Sequence, residues 1–209
     1  MNNSFFIKNG YQINTQLTHY LDSEEEALIY QLDVYAFAQK QLKDRNIRSV
    51  LDIGCGLGLK LEKYILPYCS NIVGIDAKHA IAYCKKHHVF GHWYTDDIER
   101  PQLQLNQTFD LIISSDVIEH LVNPDCLLHY MQQFAHPQTQ LIISTPERDL
   151  RRGVDHQGPP GNLAHVREWN QREFSEYLTD RGLIIEEHHI MDLKAGMKTC
   201  QTILGQFRG

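Results

Sequence analysis

A chain of 209 residues, 42% of them hydrophobic and 22% charged, predicts one globular domain whose core needs no disulfide or metal staple. Its net charge of -6 argues against nucleic acid as a partner, because non-specific binding to a polyanion draws on clustered Lys and Arg. The 5 cysteines include no CxxC pair, no apolar run nears the ~20 residues of a transmembrane helix, and no basic-then-apolar leader opens the chain. A cytoplasmic protein with free thiols and no membrane partner is expected.

Residues 1–22 are polar and aperiodic and read as an N-terminal arm. Ser23 followed by three glutamates is a capping-box start, and it predicts a helix to about residue 44, so that 1–45 holds the arm and this helix. SVLDIGCGLG (49–58) is a short apolar strand breaking into glycines, followed by LKLEKYIL with helical spacing. NIVGID (71–76) repeats the strand pattern, 77–88 reads as helix, and 89–95 as a third strand. FDLIISS (109–115) is a fourth strand, apolar enough to be buried on both faces.

Asn123 and Pro124 open a helix to about residue 135, and 139–145 is a fifth strand. Residues 146–169 have tandem prolines and no period, and predict a long lid or substrate loop. Asn170 and Glu173 form a second capping box for a helix that stops at Gly182, and 183–190 and 198–206 are closing strands. Nothing splits the chain, so 1–209 reads as a single α/β domain, with a doubly wound, mostly parallel sheet and helices on both faces. Ligands of such sheets sit outside the carboxyl ends of the strands, where strand order reverses.

The first strand ends in Asp52-Ile53-Gly54-Cys55-Gly56-Leu57-Gly58. Alternating glycines let the backbone turn and approach a ligand where a side chain would collide. Asp76 closes the second strand about 20 residues on, where a carboxylate reaches the ribose hydroxyls of a nucleoside. Residue 59 is leucine where a dinucleotide fingerprint needs its third glycine, and Lys60 lacks the frame of a phosphate-binding lysine loop. The ligand this pattern predicts is an adenosine derivative other than a dinucleotide.

VLDIGCGLG, GIDAKHAI, DDIERP and FDLIISSDVIEHL resemble, in order and spacing, the motifs of class I S-adenosylmethionine-dependent methyltransferases, over about residues 45–190. The resemblance implies a Rossmann-like seven-stranded sheet with its last strand antiparallel. It also implies S-adenosyl-L-methionine as cofactor and S-adenosyl-L-homocysteine as product. Gly54, Gly56 and Gly58 would pass beneath the methionine part, with Asp52 and Ala77 as further cofactor positions. Asp76 would bind the ribose, and Asp97, for which Asp96 could substitute, would meet the adenine edge with Ile98. Ser114 and Ser115 would line the methyl end.

Methyl transfer is an in-line displacement at a sulfonium, so the protein chiefly aligns the reactants and excludes water, and a base matters where a hydroxyl must lose its proton. Asp116, Glu119 and His120 follow the fourth strand, and the long loop supplies Glu147, Arg148, His156, His165, Arg167 and Trp169. His120, His165, Asp116 and Glu147 are the catalytic candidates, with His120 alternatively a histidine that orders a loop. Arg148, Arg167 and Trp169 are the acceptor-binding candidates, and Arg148, Arg151 and Arg152 either clamp an anionic acceptor or form a solvated turn.

The loop resembles that of bacterial methyltransferases of glycan and small-molecule biosynthesis, and with the N-terminal arm it is expected to cover the acceptor pocket. No metal site is expected, since His87, His88 and His92 straddle Gly91 and the adjacent His188 and His189 would face opposite sides of a strand. The expectation is thus O-methylation of a small-molecule or sugar-bearing acceptor. A non-catalytic cofactor-binding regulator or scaffold is the alternative, and the oligomeric state stays open.

Overall fold

Alternate residues of the central strands feed two separate cores, one on each face of the sheet. Strands β1 (Val50–Ile53), β2 (Ile72–Asp76), β3 (His92–Thr95), β4 (Phe109–Ser115), β5 (Ala135–Pro146), β6 (Leu183–Met191) and β7 (Cys200–Phe207) form a 7-stranded sheet in the order β3-β2-β1-β4-β5-β7-β6. Leu51, Ile53, Val73 and Ile112 point to one face, with Tyr130, Phe174 and Tyr177. Val50, Ile72, Leu111 and Ile113 point to the other, with Val34, Tyr35 and Ile81. The chain in this computed structural model is described over residues 5–16 and 23–208.

β1, β2, β3, β4 and β5 pair in parallel, whereas β7 runs antiparallel between β5 and β6. This is the mostly parallel, doubly wound sheet the strand–helix alternation predicts. Winding starts at β1, runs outward to β3, then returns to β4 on the other side, so the crevice lies beyond the carboxyl ends of β1 and β4.

The predicted helix over 24–44 is two helices, α1 (Glu24–Ala27) and α2 (Leu32–Asp44). The Ser23–Glu26 capping box forms as expected, but Gln31 adopts φ 56 and its N–H donates to Leu193 O at 2.8 Å, breaking the run. The helix after the glycine turn contains a π-helical turn, Leu61–Ile65. Helix α3 (Lys78–His87) matches its prediction, whereas β3 starts after Gly91, whose φ is 71. α4 (Asp125–Gln133) follows Pro124, and Asn123 Oδ1 accepts from Asp125 N at 3.2 Å.

The loop over 146–169 has structure of its own. It contains α5 (Arg148–Arg152), pairs Glu147 with Trp169, and buries Ala164, Val166 and Trp169. Helix α6 (Gln171–Asp180) then starts on the predicted Asn170–Glu173 capping box. The arm lies against this loop: Trp169 Nε1 donates to Phe5 O at 2.8 Å, Gln12 N to Gln157 O at 2.7 Å and Asn14 N to Val166 O at 2.8 Å. Residues 1–4 and 17–22 of the predicted arm lie outside the described residues. Among the described residues no helix is long and apolar enough to cross a membrane.

Candidate active site

A cavity of about 870 Å³ opens at the carboxyl ends of β1, β2 and β4, where strand order reverses. One end is lined by Gly54, Gly56, Asp76, Ala77, Asp97 and Ile98, the other by Ser115, Asp116, Glu119, His120 and His165. Seven of the ten predicted cofactor positions and three of the four catalytic candidates therefore share one space.

The glycine turn is shaped by close approach. Gly54 has φ +82, and a Cβ there would collide with the side chain of Val117, itself a lining residue. Gly56 also has a positive φ, 54, and its N–H donates to Asp76 Oδ2 at 2.8 Å. Asp76 Oδ1 accepts from Ala77 N at 2.6 Å, so this carboxylate orders the turn while facing the cavity.

Of the two adjacent aspartates, Asp96 accepts from Tyr130 Oη at 2.6 Å and from the backbone N–H groups of Gln102 and Leu103. Burial would raise its pKa, but these donors outweigh it and hold the carboxyl below the usual range. Asp97 is exposed, and although its Oδ1 accepts from Glu99 N at 3.0 Å it is the acid of the pair with capacity for a ligand edge.

Three predicted cofactor positions do not line the cavity. Asp52 lies behind the turn, fully buried, with Tyr35 Oη donating to Oδ2 at 2.7 Å. Burial, with Asp76 adding, pushes its pKa up to about 7 against the opposing Tyr35 hydrogen bond and Lys60 charge. Ser114 Oγ donates to Ile53 O at 2.9 Å inside the sheet, because side chains alternate and only Ser115 faces the cavity. Gly58, at φ +72, packs under Trp93 and His88, so its missing side chain serves the fold.

At the other end, Asp116 has φ 54 and is held by Ser144 Oγ at 2.7 Å and by Gln31 Nε2 at 3.1 Å. Lys60 Nζ donates to Gln31 Oε1 at 3.0 Å, completing a Lys60–Gln31–Asp116 bridge across the cavity wall. Sequence reasoning missed Gln31, Lys60 and Asn162 as lining residues. Gln31 sits where an unbroken helix was expected, and Asn162 lies in a segment without period, so neither carried a local signal.

Val166 N donates to Glu119 O at 2.7 Å and His120 Nδ1 donates to Ala164 O at 2.9 Å. These two bonds bring His165 beside Glu119 and His120. The imidazoles of His120 and His165 meet edge to face at 4.8 Å between centroids. Burial, with His165 adding, pushes His120 down to about 4, so its ring is neutral near pH 7. Glu119 is fully buried, and burial, then the Asp116 charge, raises its pKa well above the carboxylate range.

His165 is oriented from both sides. Its Nδ1 is 2.8 Å from Glu168 Oε1, and its Nε2 is 2.9 Å from Asn162 Nδ2, whose own Oδ1 accepts from Ala164 N. Burial would raise Glu168, but hydrogen bonds from His165 and Arg152 bring it to about 2, so it is an ionised acceptor. His165 therefore carries its proton on Nδ1 and a lone pair on Nε2. No metal site was expected, yet Glu119, His120 and His165 each offer a ligand atom, all within 4.8 Å of one another.

Most of the remaining predicted residues do not line the cavity. Glu147 caps two helices, accepting from Leu150 N at 2.6 Å and Gln171 N at 2.9 Å, and does not line the cavity. Arg148 is buried in ion pairs with Glu173 and Asp149 rather than clamping an acceptor. Arg167 donates to the carbonyls of Leu121 and Val122, and Trp169 is core, stacked on Tyr177. His156 packs edge-on against Tyr11, and Arg152 pairs with Glu168, which leaves Arg151 as the arginine of the loop that lines the cavity. The described part of the arm braces the loop from outside and does not line the cavity.

The chain matches a family model described as a methyltransferase domain over residues 22–188. It is 28% identical over 170 residues to a ubiquinone biosynthesis O-methyltransferase of Bradyrhizobium diazoefficiens, covering 69% of this chain and 64% of that one. A mitochondrial ubiquinone biosynthesis O-methyltransferase of Dictyostelium discoideum is 31% identical over 111 residues, 46% of this chain and 35% of that protein. The matches thus span about one third to two thirds of these relatives' lengths.

Among solved structures, an S-adenosylmethionine-dependent methyltransferase of Clostridium acetobutylicum superposes with a TM-score of 0.64 at 16% identity, covering 86% of this chain and 92% of that one. The plantazolicin methyltransferase BpumL, solved in complex with a triazolic desmethylPZN analog and SAH, gives 0.64 at 18% identity, covering 85% and 84%. These likenesses are of fold.

Proposed function

The chain belongs to the methyltransferase-domain family, and from that premise we propose that it transfers the methyl group of S-adenosylmethionine to a hydroxyl of a small-molecule or sugar-bearing acceptor. The observation that carries this reading is a single cavity joining the glycine turn and Asp76 to the Asp116, Glu119, His120 and His165 group. The residues fit the cofactor: a Cβ at Gly54 would fill the turn, and Asp76 and Asp97 face the cavity where hydroxyl and amine donors of a nucleoside would sit.

When bound, S-adenosylmethionine supplies an electrophilic methyl group on a sulfonium. Asp76 would accept the ribose hydroxyls while holding Gly56 N, and Ser115 with Asp116 would border the methyl end. His165 and His120 stand at the acceptor end, where a hydroxyl must lose its proton. O-methylation is supported by this group and by the relatives named as O-methyltransferases. A cytosolic setting is part of the proposal, in keeping with the cysteines being free thiols.

Calorimetry with adenosylhomocysteine and with NAD tests the cofactor assignment, adenosylhomocysteine being expected to bind and NAD not. Methyl transfer from the cofactor to a panel of phenolic, sugar and carboxylic acceptors tests the rest. Tight adenosylhomocysteine binding with no turnover on any hydroxylated acceptor would leave a cofactor-binding protein rather than an O-methyltransferase.

A further inference from the structure

Helix α5 carries the three arginines that the sequence offers as an anion clamp, and the fold employs two of them. Arg148 is buried in its pairs with Glu173 and Asp149, and Arg152 pairs with Glu168. Arg151 is half-buried and lines the cavity, and its guanidinium has no hydrogen bond or ion pair among the described residues. We propose that Arg151 binds a carboxylate of the acceptor, so that the substrate is a hydroxylated carboxylic acid whose hydroxyl faces His165. The hydroxyl's part rests on the methyl-transfer reading, whereas the carboxylate's part does not.

Three observations carry the site. The first is placement. Residues 148, 151 and 152 are neighbours on one face of the helix. Glu168 accepts from Arg152 Nε on Oε2 at 3.2 Å and from Arg152 Nη2 on Oε1 at 3.3 Å, and the same Oε1 is 2.8 Å from His165 Nδ1. One carboxylate therefore ties α5 to His165, which sets Arg151 at the acceptor end rather than beside the glycine turn.

The second observation is the lack of a partner. A guanidinium stays charged at any working pH and offers five N–H donors, so one partly withdrawn from water gains by meeting an anion. The chain has 26 acidic against 20 basic residues, yet no described acid pairs with Arg151. The nearby carboxylates are already engaged: Asp116 accepts from Ser144 Oγ and Gln31 Nε2, and Glu168 from Arg152 and His165.

The third is that the other positive groups of the cavity are placed or used differently. Lys60 Nζ donates to Gln31 Oε1 at 3.0 Å and stands 5.5 Å over the Tyr35 ring. Lys78 follows Asp76 and Ala77 at the cofactor end. Burial pushes His120 down to about 4, so its ring brings no charge near pH 7. Arg151 is thus the open cation of the acceptor end.

Charge balance selects the anion. A carboxylate carries one charge and presents two coplanar oxygens that match the guanidinium fork. A phosphate monoester carries about −1.5 to −2 near pH 7, and at this end a second cation is missing while Asp116 would repel it.

The test is calorimetry with two matched pairs of probes, protocatechuate and its amide, and glucuronate and its amide, with phenyl phosphate alongside. Each probe is titrated into the protein with and without adenosylhomocysteine. In at least one pair the acid should bind about tenfold or more tighter than the amide. Arg151→Ala should weaken that acid by about 10- to 150-fold and its amide by less than about twofold, and Arg151→Lys, which keeps the charge but loses the fork, should fall between. Arg172→Ala removes the same charge from an exposed position outside the cavity and should leave both probes within about twofold.

An acid that binds no better than its amide in either pair overturns the inference, as does a loss in Arg172→Ala equal to that in Arg151→Ala. Phenyl phosphate binding tenfold tighter than both acids overturns the choice of carboxylate. Adenosylhomocysteine binding weakened tenfold in a folded Arg151→Ala protein assigns the guanidinium to the cofactor instead. Acid-selective binding without any binding of adenosylhomocysteine leaves the anion site and removes the methyl-transfer reading, whereas adenosylhomocysteine binding without acid preference removes the anion site alone.

Discussion

At the end of the cavity held by Gly54, Gly56 and Asp76, the residues that meet belong to one strand–turn–helix unit and the strand beside it. At the end held by Asp116, Glu119, His120 and His165, they come from the carboxyl end of β4 and from a loop that follows β5. The first end is local geometry: positive-φ glycines and one carboxylate that orders them. The second depends on backbone bonds between distant segments, Val166 N to Glu119 O above all. A change at the first end should therefore strike cofactor affinity, and a change at the second should strike chemistry while leaving cofactor affinity alone.

The largest effect should come from Gly56→Val. At φ 54 a β-branched residue is strained, and its side chain would stand where the turn approaches the ligand. Calorimetry should detect no adenosylhomocysteine binding by a variant whose circular dichroism is that of the wild type. Tight binding would break the assignment of this end. Next comes His165→Ala, which should lower single-turnover methyl transfer by about 100-fold or more while the dissociation constant for adenosylhomocysteine stays within about twofold. Equal losses in both quantities would mean that the two ends are not separable.

Why one end was legible and the other only half so follows from the same contrast. DIGCGLG and the strand-terminal Asp76 are short-range patterns, and each residue's role is set by neighbours in sequence. The seven strands, both capping boxes and the switch point were legible for that reason. The acceptor end was not, because polar and ionisable residues in 146–169 look alike in sequence: Glu147, Arg148 and Arg167 turn inward to satisfy helix ends, carbonyls and buried partners, whereas Arg151, Asn162 and His165 face the cavity. Alternation along β4 likewise separates Ser115 from Ser114, a distinction that needs the strand's facing.

Asp76→Ala sharpens the cofactor end. Hydrogen bonds to a charged group contribute about 1.5–3 kcal/mol, which predicts a loss of roughly 10- to 150-fold in adenosylhomocysteine affinity. The upper part of that range is expected, since the same carboxylate holds Gly56 N and Ala77 N. An unchanged dissociation constant would remove Asp76 from the site.

Arg148→Ala tests the division from the side of the fold. Its guanidinium is buried against Glu173 and Asp149, and breaking such a pair typically costs about 3–5 kcal/mol. Denaturant unfolding should show that loss, while KM for the acceptor and cofactor affinity stay near wild-type values under conditions where the variant is folded. A variant of wild-type stability with a raised acceptor KM would return Arg148 to the pocket.

The smallest effect on the site should come from Asp52→Asn, although Asp52 belongs to the glycine-turn sequence. Its carboxyl lies behind the turn, and an asparagine keeps an oxygen for Tyr35 Oη and places an amide where Oδ1 has no hydrogen-bond partner among the described residues. Cofactor affinity should change less than about threefold, and a loss above tenfold would put Asp52 at the ligand. Its mark should instead be on the pH dependence of stability. The folded-state pKa of about 7 lies above the ordinary 3.8, so the folded chain binds the proton more tightly than the unfolded one. That contribution is fully present below pH 3.8 and is lost as pH rises to about 7, after which both states are ionised and the slope ends. Asp52→Asn removes this slope, so the melting temperature of the variant relative to wild type should climb between pH 5 and pH 7 and level off above. A flat difference across that range would mean that Asp52 ionises normally inside the fold.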